Sequence, residues 1–355
     1  MTVQPDAPPV VSVIVINYNS GDHLAECLAA LCASQPQPAI EILVVDNAST
    51  DDSLALGERL AAVPRPIRFL KSRVNRGYAG GVNLAFPHTR GSYVAALNPD
   101  MRVSPDWLAH LVPFLESHPE AGAVNPLILL HDTDEHINAA GQDIHVTGLG
   151  FNRRLGQPRS RAGLAPARVS GIQGGAVVVR RALLQEMGGW DESGFLYHED
   201  VALSWRLHLM GCDLYCIPRA IVWHAYHLTM YPEKLFLLER NRAALLLTHL
   251  ESWSLLYLAP FLFLTELLMW GYCLLRGWGF IKAKAASYQW IARQRAALRD
   301  RRTFIRGLRR RTDWQVLKKL KWGYAWDQLL TLGRERGESR RQPAGGMPVK
   351  MGESR

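Results

Sequence analysis

Four short segments in a fixed order constrain the fold of this chain most. Two of them, 11–19 and 44–51, are apolar runs that end abruptly in Asn, Asp, Ser and Thr. The third, 75–83, is rich in glycine and lacks lysine, and the fourth, 97–100, ends in Asp100. An apolar run that ends in polar residues is typical of a buried parallel strand whose carboxyl end opens into a ligand crevice. The order therefore predicts a parallel sheet with a binding site at one edge.

Hydrophobic spacing along residues 10–250 alternates between strand-like and helix-like patterns. This alternation predicts an α/β domain with a mostly parallel central sheet. The predicted strands are 10–17, 40–45, 67–70, 93–97, 123–130, 174–179, 214–217 and 221–224. The predicted helices are 22–34, 53–62, 106–117, 181–187, 199–210 and 233–250, with another beginning at Asn83. The polar, arginine-rich stretch 131–168 is predicted to be a long loop or lid.

Residues 251–355 differ in character from the rest of the chain. They contain 21 Lys and Arg against 8 Asp and Glu, whereas residues 1–250 are mildly acidic. Within them, the run 253–275 has one charged residue, Glu266, and one proline, Pro260. Its length could just cross a bilayer, but the two interruptions equally predict a broken pair of helices in the membrane interface.

These features predict three parts of the chain and a location. The parts are a catalytic domain at 1–250, a helical, basic, membrane-associating region at 251–330 and a disordered tail at 331–355. Basic residues and tryptophans beside an apolar run favour an anionic membrane surface over nucleic acid as a partner. The five cysteines form no C-x-x-C pair, and the N-terminus does not resemble a secretory signal. We therefore expect peripheral or monotopic attachment to the cytoplasmic face of the inner (cell) membrane.

Asp100 follows the apolar run 93–97 and is a candidate metal ligand. Transfer of a group from a nucleotide donor would release a diphosphate. Its charge is usually neutralised by a divalent cation bound to a carboxylate. Taken alone, Asn98-Pro99-Asp100 is as typical of a plain turn as of a metal site, and the other polar strand ends favour the metal site. His224 ends a second apolar run and is a candidate partner ligand, although a lone histidine is more often structural.

Tyr18 and Asp46 follow the first two predicted strands. A carboxylate at a strand end can accept a hydrogen bond from the N–H of a pyrimidine, and an aromatic ring can stack on that base. Core packing explains Tyr18 equally well, and the polar segment 47–51 can serve as a helix cap.

The glycine-rich segment 75–83 allows the backbone to approach a phosphate or ribose closely. It matches neither G-x-x-x-x-G-K-[ST] nor G-x-G-x-x-G, so an ATPase P-loop is excluded and a dinucleotide site is disfavoured. A lone glycine segment is usually only a turn. Its flanking asparagines, Asn75 and Asn83, favour a binding loop.

Glu199 and Asp200 stand at the start of a predicted amphipathic helix. Carboxylates at this position can simply stabilise the helix N-terminus. They can also act as a general base for an acceptor hydroxyl, and one carboxylate suffices for a single displacement with inversion.

Taken in order, the motifs resemble glycosyltransferase family 2, most of all its bacterial rhamnosyltransferase-like branch, which builds cell-surface polysaccharides. The resemblance covers about residues 10–250. It is carried by Asn-Tyr-Asn, Val-Asp-Asn-Ala-Ser-Thr-Asp, Asn-Arg-Gly-Tyr-Ala-Gly-Gly-Val-Asn, Asn-Pro-Asp, Gly-Gly-Trp-Asp-Glu and His-Glu-Asp. It implies a GT-A fold, a nucleoside-diphosphate sugar donor, Mg²⁺ or Mn²⁺, and inversion at the anomeric carbon.

The resemblance also implies roles for individual residues. Asp100 matches the last carboxylate of the family's Asp-x-Asp metal motif, while Asn98 stands where many members have the first. Asp200 matches the catalytic base, with Glu199 beside it, and His224 matches a histidine that reaches the metal in some members. The residues implied to bind the donor are Tyr18, Asp46, Asn75, Gly80, Gly81 and Asn98.

The implied reaction moves a hexose, with rhamnose as one candidate, to a cell-surface glycan or a polyprenyl-linked acceptor. The alternative is a non-catalytic protein that binds a nucleotide sugar or a glycan. The presence of Asp100, Glu199 and Asp200 argues for the enzyme.

Overall fold

The computed structural model describes residues 9–34, 38–60, 67–131, 135–226 and 229–329. The predicted tail 331–355, and parts of the predicted helix 53–62 and of the predicted loop 131–168, lie outside these ranges. The strands are β1 (Val11–Asn17), β2 (Ile40–Asp46), β3 (Ile67–Lys71), β4 (Tyr93–Leu97), β5 (Met101–Val103), β6 (Ala121–Leu130), β7 (Ile137–Ala139), β8 (Gln142–Ile144), β9 (Gly150–Asn152), β10 (Ala167–Val169), β11 (Ala176–Arg180) and β12 (Asp213–His224).

The helices are α1 (His23–Ala33), α2 (Ser53–Leu60), α3 (Gly77–Ala85), α4 (Trp107–Ser117), α5 (Arg181–Glu186), α6 (Glu199–Leu209), α7 (Pro232–His249), α8 (Ser252–Tyr257), α9 (Ala259–Arg276), α10 (Trp278–Arg293), α11 (Arg295–Gly307) and α12 (Asp313–Leu317). Short 3-10 turns occur at Phe86–His88, Arg159–Ala162 and Glu192–Gly194.

A ten-stranded sheet forms the centre of the molecule, in the order β10-β12-β6-β11-β4-β1-β2-β3, with β5 beside β12 and β7 beside β6. The first four strands pair in parallel, in a register that sets Asn17 opposite Asp46. Strand β11 runs antiparallel between β4 and β6, and β6 is parallel to β12. The predicted α/β class with a mostly parallel sheet is confirmed.

Strand β1 is buried along its whole length because helices cover both faces of the sheet. Val13 and its alternate neighbours pack in a cluster with α1 and α4, where Trp107 is fully buried. Ile14 and Ile16 point to the other face and pack in a cluster with α3 and α6, where Trp205 is fully buried. Burial on both faces explains why the strand is a continuous apolar run rather than an alternating one.

Two sequence-based expectations are wrong. The glycine-rich segment is a helix and not a loop, because α3 begins at Gly77 and packs against β1. The stretch 131–168 is not a lid in its described part, because it contributes β7 to β10. Its apolar side chains, including Ile137, Ile144 and Val146, are fully buried in the core.

The apolar run near the C-terminus forms two helices that divide beside Pro260, whereas Glu266 lies inside the second helix and does not interrupt it. Helix α8 ends at Tyr257 and α9 starts at Ala259, with Pro260 in its first turn. Among the described residues, α9 alone is long and apolar enough to cross a membrane by length and composition, and about a tenth of it is buried. Large apolar side chains of α8, α9 and the start of α10 are 42–81% exposed, namely Trp253, Leu256, Tyr257, Phe263, Leu264, Leu267, Leu274, Leu275 and Trp278. These residues are called the outer face below.

Glu266 does not belong to the outer face, because it turns inward to a cluster of buried charges. Its two oxygens lie 2.6 Å from Arg242 Nη2 and 2.7 Å from Lys284 Nζ. Glu239 completes the cluster through ion pairs with Arg242 and Lys284. The cluster joins α9 and α10 to α7. Beside it, Leu235 and Phe236 of α7 pack in an apolar cluster with Cys273 and Phe280.

Candidate functional site

The carboxyl ends of β1 and β2 are tied together by a buried asparagine. Asn17 Nδ2 donates to Asp46 Oδ1 at 3.0 Å and to the hydroxyls of Ser49 and Ser53 at 3.1 and 3.0 Å. Asp46 Oδ2 accepts from the Ser49 N–H at 3.3 Å, and Asp46 is only 5% exposed. Asp46 therefore closes the turn between β2 and α2, and the half-buried Tyr18 follows Asn17 at the same edge.

Asn47 fixes the entry to α3. Its amide nitrogen donates to Asn75 Oδ1 and to the Gly77 carbonyl, both at 3.0 Å, and its oxygen accepts from the Arg76 N–H. Gly77 has φ +71°, and a Cβ there would lie 1.8 Å from the Phe195 carbonyl oxygen. The segment predicted as a binding loop is therefore a pinned helix start that touches the chain just before Glu199.

Gly80 and Gly81 lie inside α3 and serve close packing. A Cβ at Gly81 would lie 3.0 Å from Ile16 of β1, and a Cβ at Gly80 would lie 2.7 Å from Arg76. At the far end of α3, Asn83 donates to the Trp190 carbonyl and accepts from the Trp190 N–H. The helix thus joins β1 to the Gly-Gly-Trp-Asp-Glu segment.

Asp100 and His224 come together at the sheet edge because His224 pairs with Met101 in the β12–β5 register. Asp100 Oδ2 lies 3.3 Å from His224 Nε2, and His224 Nδ1 lies 2.9 Å from Asn138 Oδ1. The second oxygen, Asp100 Oδ1, is buried without a hydrogen-bond partner. Burial opposes ionisation, but the hydrogen bond and charge of His224 outweigh it and lower the pKa of Asp100.

This pair fits a divalent cation. A carboxylate oxygen and an imidazole nitrogen are ligands that Mn²⁺ accepts, and Mg²⁺ and Mn²⁺ often complete their shells with water and substrate phosphates. Over the described ranges, no group of three or more His, Cys, Asp or Glu could hold a metal by itself. The unpaired Asp100 Oδ1 leaves a position for a cation that also binds a diphosphate.

The segment Gln173-Gly174-Gly175 lies between the Asp100–His224 pair and Asp200. The Gly175 carbonyl accepts from the Asn98 N–H at 2.8 Å, and a Cβ at Gly174 would lie 3.1 Å from Asp200 Cβ. Asn125 of β6 holds the segment in place. Its side-chain amide donates a hydrogen bond to the Gln173 carbonyl and accepts one from the Gln173 N–H. One short piece of backbone therefore sets the spacing of the two acidic groups.

Asp200 and Glu199 have opposite environments. Asp200 accepts from Gln142 Nε2 at 2.7 Å, from the Val201 N–H at 2.8 Å and from the Gly174 N–H at 3.3 Å. Burial raises the pKa of Asp200, and these donors partly offset the rise. Glu199 Oε2 is buried with no partner, and burial followed by the charge of Asp200 raises the pKa of Glu199 to about 8. At neutral pH Glu199 therefore keeps its proton, and the three donors to Asp200 favour the charge of the pair on Asp200.

The backbone before these carboxylates is strained. Three residues have positive φ angles of 61°, 64° and 71°, namely Phe195, Tyr197 and His198. Residues other than glycine rarely occupy this left-handed region. Asn241 of α7 holds the segment by donating to the carbonyls of Gly194, Leu196 and Tyr197 at 2.9–3.0 Å. Strain that the surrounding structure enforces is typical of functional sites.

Tyr78 shows that the acidic groups converge. Its buried hydroxyl donates to the Gly174 carbonyl at 2.8 Å. Burial, and then the charges of Glu199, Asp200 and Asp100, raise the pKa of Tyr78 well above its ordinary value. The charges of three carboxylates predicted from distant motifs thus all act on one buried hydroxyl.

Two solved structures share this architecture. GalNAc-T7, solved with UDP, GalNAc and Mn²⁺, matches with a TM-score of 0.57 at 17% identity, over 70% of this chain and 49% of its own. The mannosyltransferase PcManGT from Pyrobaculum calidifontis, solved with GDP-Man and Mn²⁺, matches with a TM-score of 0.51 at 19% identity, over 89% and 88%. The chain therefore spans about half the length of the first and most of the second. The fold is the GT-A fold of glycosyltransferases.

Sequence comparison identifies the family. The model of glycosyl transferase family 2 matches residues 12–187. The N-acetylglucosaminyl-diphospho-decaprenol L-rhamnosyltransferase of Mycobacterium tuberculosis is 30% identical in an alignment of 239 residues that covers 61% of this chain and 76% of the relative. The beta-monoglucosyldiacylglycerol synthase of Nostoc sp. is 27% identical over 59% of this chain and 43% of its own length. This chain belongs to glycosyltransferase family 2, and the predicted family resemblance is confirmed.

Proposed function

We propose that this glycosyltransferase moves a hexose from a nucleoside-diphosphate donor to a glycan or lipid-linked acceptor, with inversion, by a metal-dependent single displacement. The observation that carries the proposal is that one segment, Gln173-Gly174-Gly175, contacts Asn98 beside the metal candidate Asp100 at one end and Asp200 at the other. A displacement of this kind needs one group to stabilise the leaving diphosphate and another to take the proton of the attacking hydroxyl.

Asp100 and His224 are the proposed ligands of Mg²⁺ or Mn²⁺. When bound, the cation would neutralise charge that develops on the leaving diphosphate. Asp100 supplies an ionised oxygen with a free coordination position, and Asn138 holds the imidazole of His224 in place. Tyr18 and Asp46 are proposed for the nucleotide base, with Asn75 and Asn98 beside the donor.

Asp200 is the proposed base. Gln142 and two backbone N–H groups fix the orientation of its carboxylate. Glu199 is protonated at neutral pH, so the pair carries one negative charge, on Asp200. A doubly charged pair would repel the donor diphosphate more strongly.

Rhamnose is the proposed sugar, and a polyprenyl diphosphate glycan is the proposed acceptor. The support is the name of the relative from Mycobacterium tuberculosis, which transfers L-rhamnose to N-acetylglucosaminyl-diphospho-decaprenol. The outer face of α8 and α9 offers a surface for attachment to an anionic membrane, where such a lipid resides. We place the enzyme on the cytoplasmic face of the cell membrane, attached without spanning it.

The test compares two isosteric variants. Asp200→Asn should lower turnover by roughly 10²–10⁴-fold, the usual contribution of a general base, with donor binding nearly unchanged. Glu199→Gln imitates the protonated side chain and should retain far more activity. Transfer is measured with a panel of nucleotide sugars and a lipid-diphosphate acceptor, and product stereochemistry reports inversion. Near-normal turnover of Asp200→Asn would refute the assignment.

Donor hydrolysis without acceptor separates an enzyme from a protein that only binds nucleotide sugars.

A further inference from the structure

A cationic cleft of about 510 Å³ lies across the β8–β9 hairpin from Asp200. Gln142 of β8 donates to Asp200. The next residue, Asp143, and its register partner Phe151 line the cleft. Neighbouring side chains of a strand point to opposite faces, so the hairpin contacts the catalytic carboxylate on one face and forms a wall of the cleft on the other.

The cleft has an excess of positive charge. Four cationic side chains line it against two acidic ones: Arg153, Arg154, Arg161 and Lys321 against Asp143 and Asp327. Asp143 Oδ1 lies 4.0 Å from Arg153 Nε and 3.6 Å from Lys321 Nζ. Over the described ranges, Arg154 and Arg161 have no carboxylate partner. They are free to bind an anion.

The backbone around these arginines is held in an unusual conformation. Arg154 has φ +64°, which a residue with a side chain rarely adopts, and Gly156 follows at +73°. Arg153 is anchored at the same time, because its guanidinium contacts the Ala140 carbonyl and Asp143. The turn therefore keeps two adjacent arginines at the wall of one cleft.

The cleft also adjoins the helix that carries the outer face. Tyr324 lines the cleft, and its hydroxyl lies 2.8 Å from Thr265 Oγ1 on the inner side of α9. On the outer side of the same helix, Phe263, Leu264 and Leu267 are exposed. A cationic cleft thus stands next to an exposed apolar surface. This arrangement suits a ligand with an anionic head and a hydrocarbon chain.

We propose that this cleft binds the phosphoryl group of a membrane lipid. The inference rests on the proposed function, since that function places the enzyme at a membrane with a lipid-linked acceptor. Two lipids carry such a group: the lipid-linked acceptor, in its diphosphate, and an anionic phospholipid, in its headgroup. Guanidinium groups suit both, because they donate several hydrogen bonds in a plane to phosphate oxygens.

The first experiment measures binding of inorganic pyrophosphate to the full-length protein by calorimetry, with chelator present so that no metal assists the donor site. The variant is Arg154→Gln/Arg161→Gln. The control is Arg159→Gln/Arg219→Gln, which removes the same charge from two exposed arginines outside the cleft. Each basic residue contributes about fivefold at an anionic lipid surface, and the same contribution from each arginine at pyrophosphate would make the cleft variant bind about 30-fold more weakly. The control should match the wild type. Equal pyrophosphate affinity in all three proteins would overturn the inference.

The second experiment distinguishes the two lipids. The Michaelis constant for the lipid-diphosphate acceptor is measured in detergent, and flotation is measured with phosphatidylglycerol vesicles. A raised Michaelis constant in the cleft variant alone assigns the cleft to the acceptor. Reduced flotation with an unchanged Michaelis constant assigns it to the phospholipid headgroup. No change in either measurement refutes the inference. Donor hydrolysis by the wild type tests the proposed function separately, because it needs neither lipid.

Discussion

Replacing Glu199 by glutamine should change how stability depends on pH. The Glu199 carboxyl is buried beside Asp200, and its Oε2 has no hydrogen-bond partner. Its pKa is about 8 in the folded protein, against 4.5 for an ordinary glutamate. Because the folded protein keeps a proton that the unfolded chain releases, the contribution of Glu199 is fully favourable below about pH 4.5. It is lost progressively as the pH rises through 8.

The magnitude follows from the shift. At about 1.4 kcal/mol per pKa unit, the full effect is about 5 kcal/mol, and about 4 kcal/mol of it is lost between pH 5 and pH 9. Glu199→Gln cannot ionise, so its stability should not include this loss. Other titrating groups are the same in both proteins and cancel in the difference, apart from Asp200. Asp200 is part of the coupled pair and loses a charged neighbour.

The assay is urea unfolding of both proteins from pH 5 to pH 9, followed by tryptophan fluorescence. We expect the stability of Glu199→Gln relative to the wild type to rise by about 4 kcal/mol over this range. Asp213→Asn is a suitable contrast, because ion pairs lower the pKa of Asp213 despite burial and its contribution is lost only in acid. A difference between Glu199→Gln and the wild type that stays constant with pH would refute the reasoning.

Two further predictions concern the metal pair and the outer face. Asp100→Ala should abolish the Mn²⁺-dependent part of donor affinity in calorimetry, with His224 unable to replace it, and full transfer activity in chelator would contradict the metal assignment. Trp253→Ser/Leu256→Ser/Phe263→Ser should reduce flotation with anionic vesicles at unchanged net charge, because each exposed side chain loses apolar area to bury. Wild-type levels of flotation in that variant would exclude the outer face as the attachment surface.

The fold was largely predictable because both faces of the sheet are covered. Buried parallel strands such as β1 and β4 read as apolar runs with polar ends, and that signal is local. Helix α3 was missed because glycine is a poor helix former, yet close packing against Phe195 at Gly77 and against Ile16 at Gly81 requires small residues there. The buried strands of 137–169 were missed because they are only three residues long.

The candidate site was predictable in its acidic groups but not in their supports. Asp100, His224 and Asp200 follow or precede recognisable elements, and the structure brings them into one crevice. Gln142, Asn138 and Asn241 act across separations of 58, 86 and at least 44 residues. No spacing rule connects positions that far apart. Only the register of β12 with β5, and the path of α7, determine which polar side chains meet.

The buried charges between α7, α9 and α10 determine how a form of this glycosyltransferase that is soluble without detergent could be made. Shortening the chain at residue 250 would remove the helices that cover α7 and expose Leu235 and Phe236. The same helix carries Asn241, which holds the strained residues before Glu199 and Asp200. The helices with the outer face are thus packed into the same folded unit as α7 and are not a detachable anchor. A soluble preparation is better sought by replacing outer-face residues such as Trp253 and Phe263 with polar ones, while Glu266 and Lys284 stay in place.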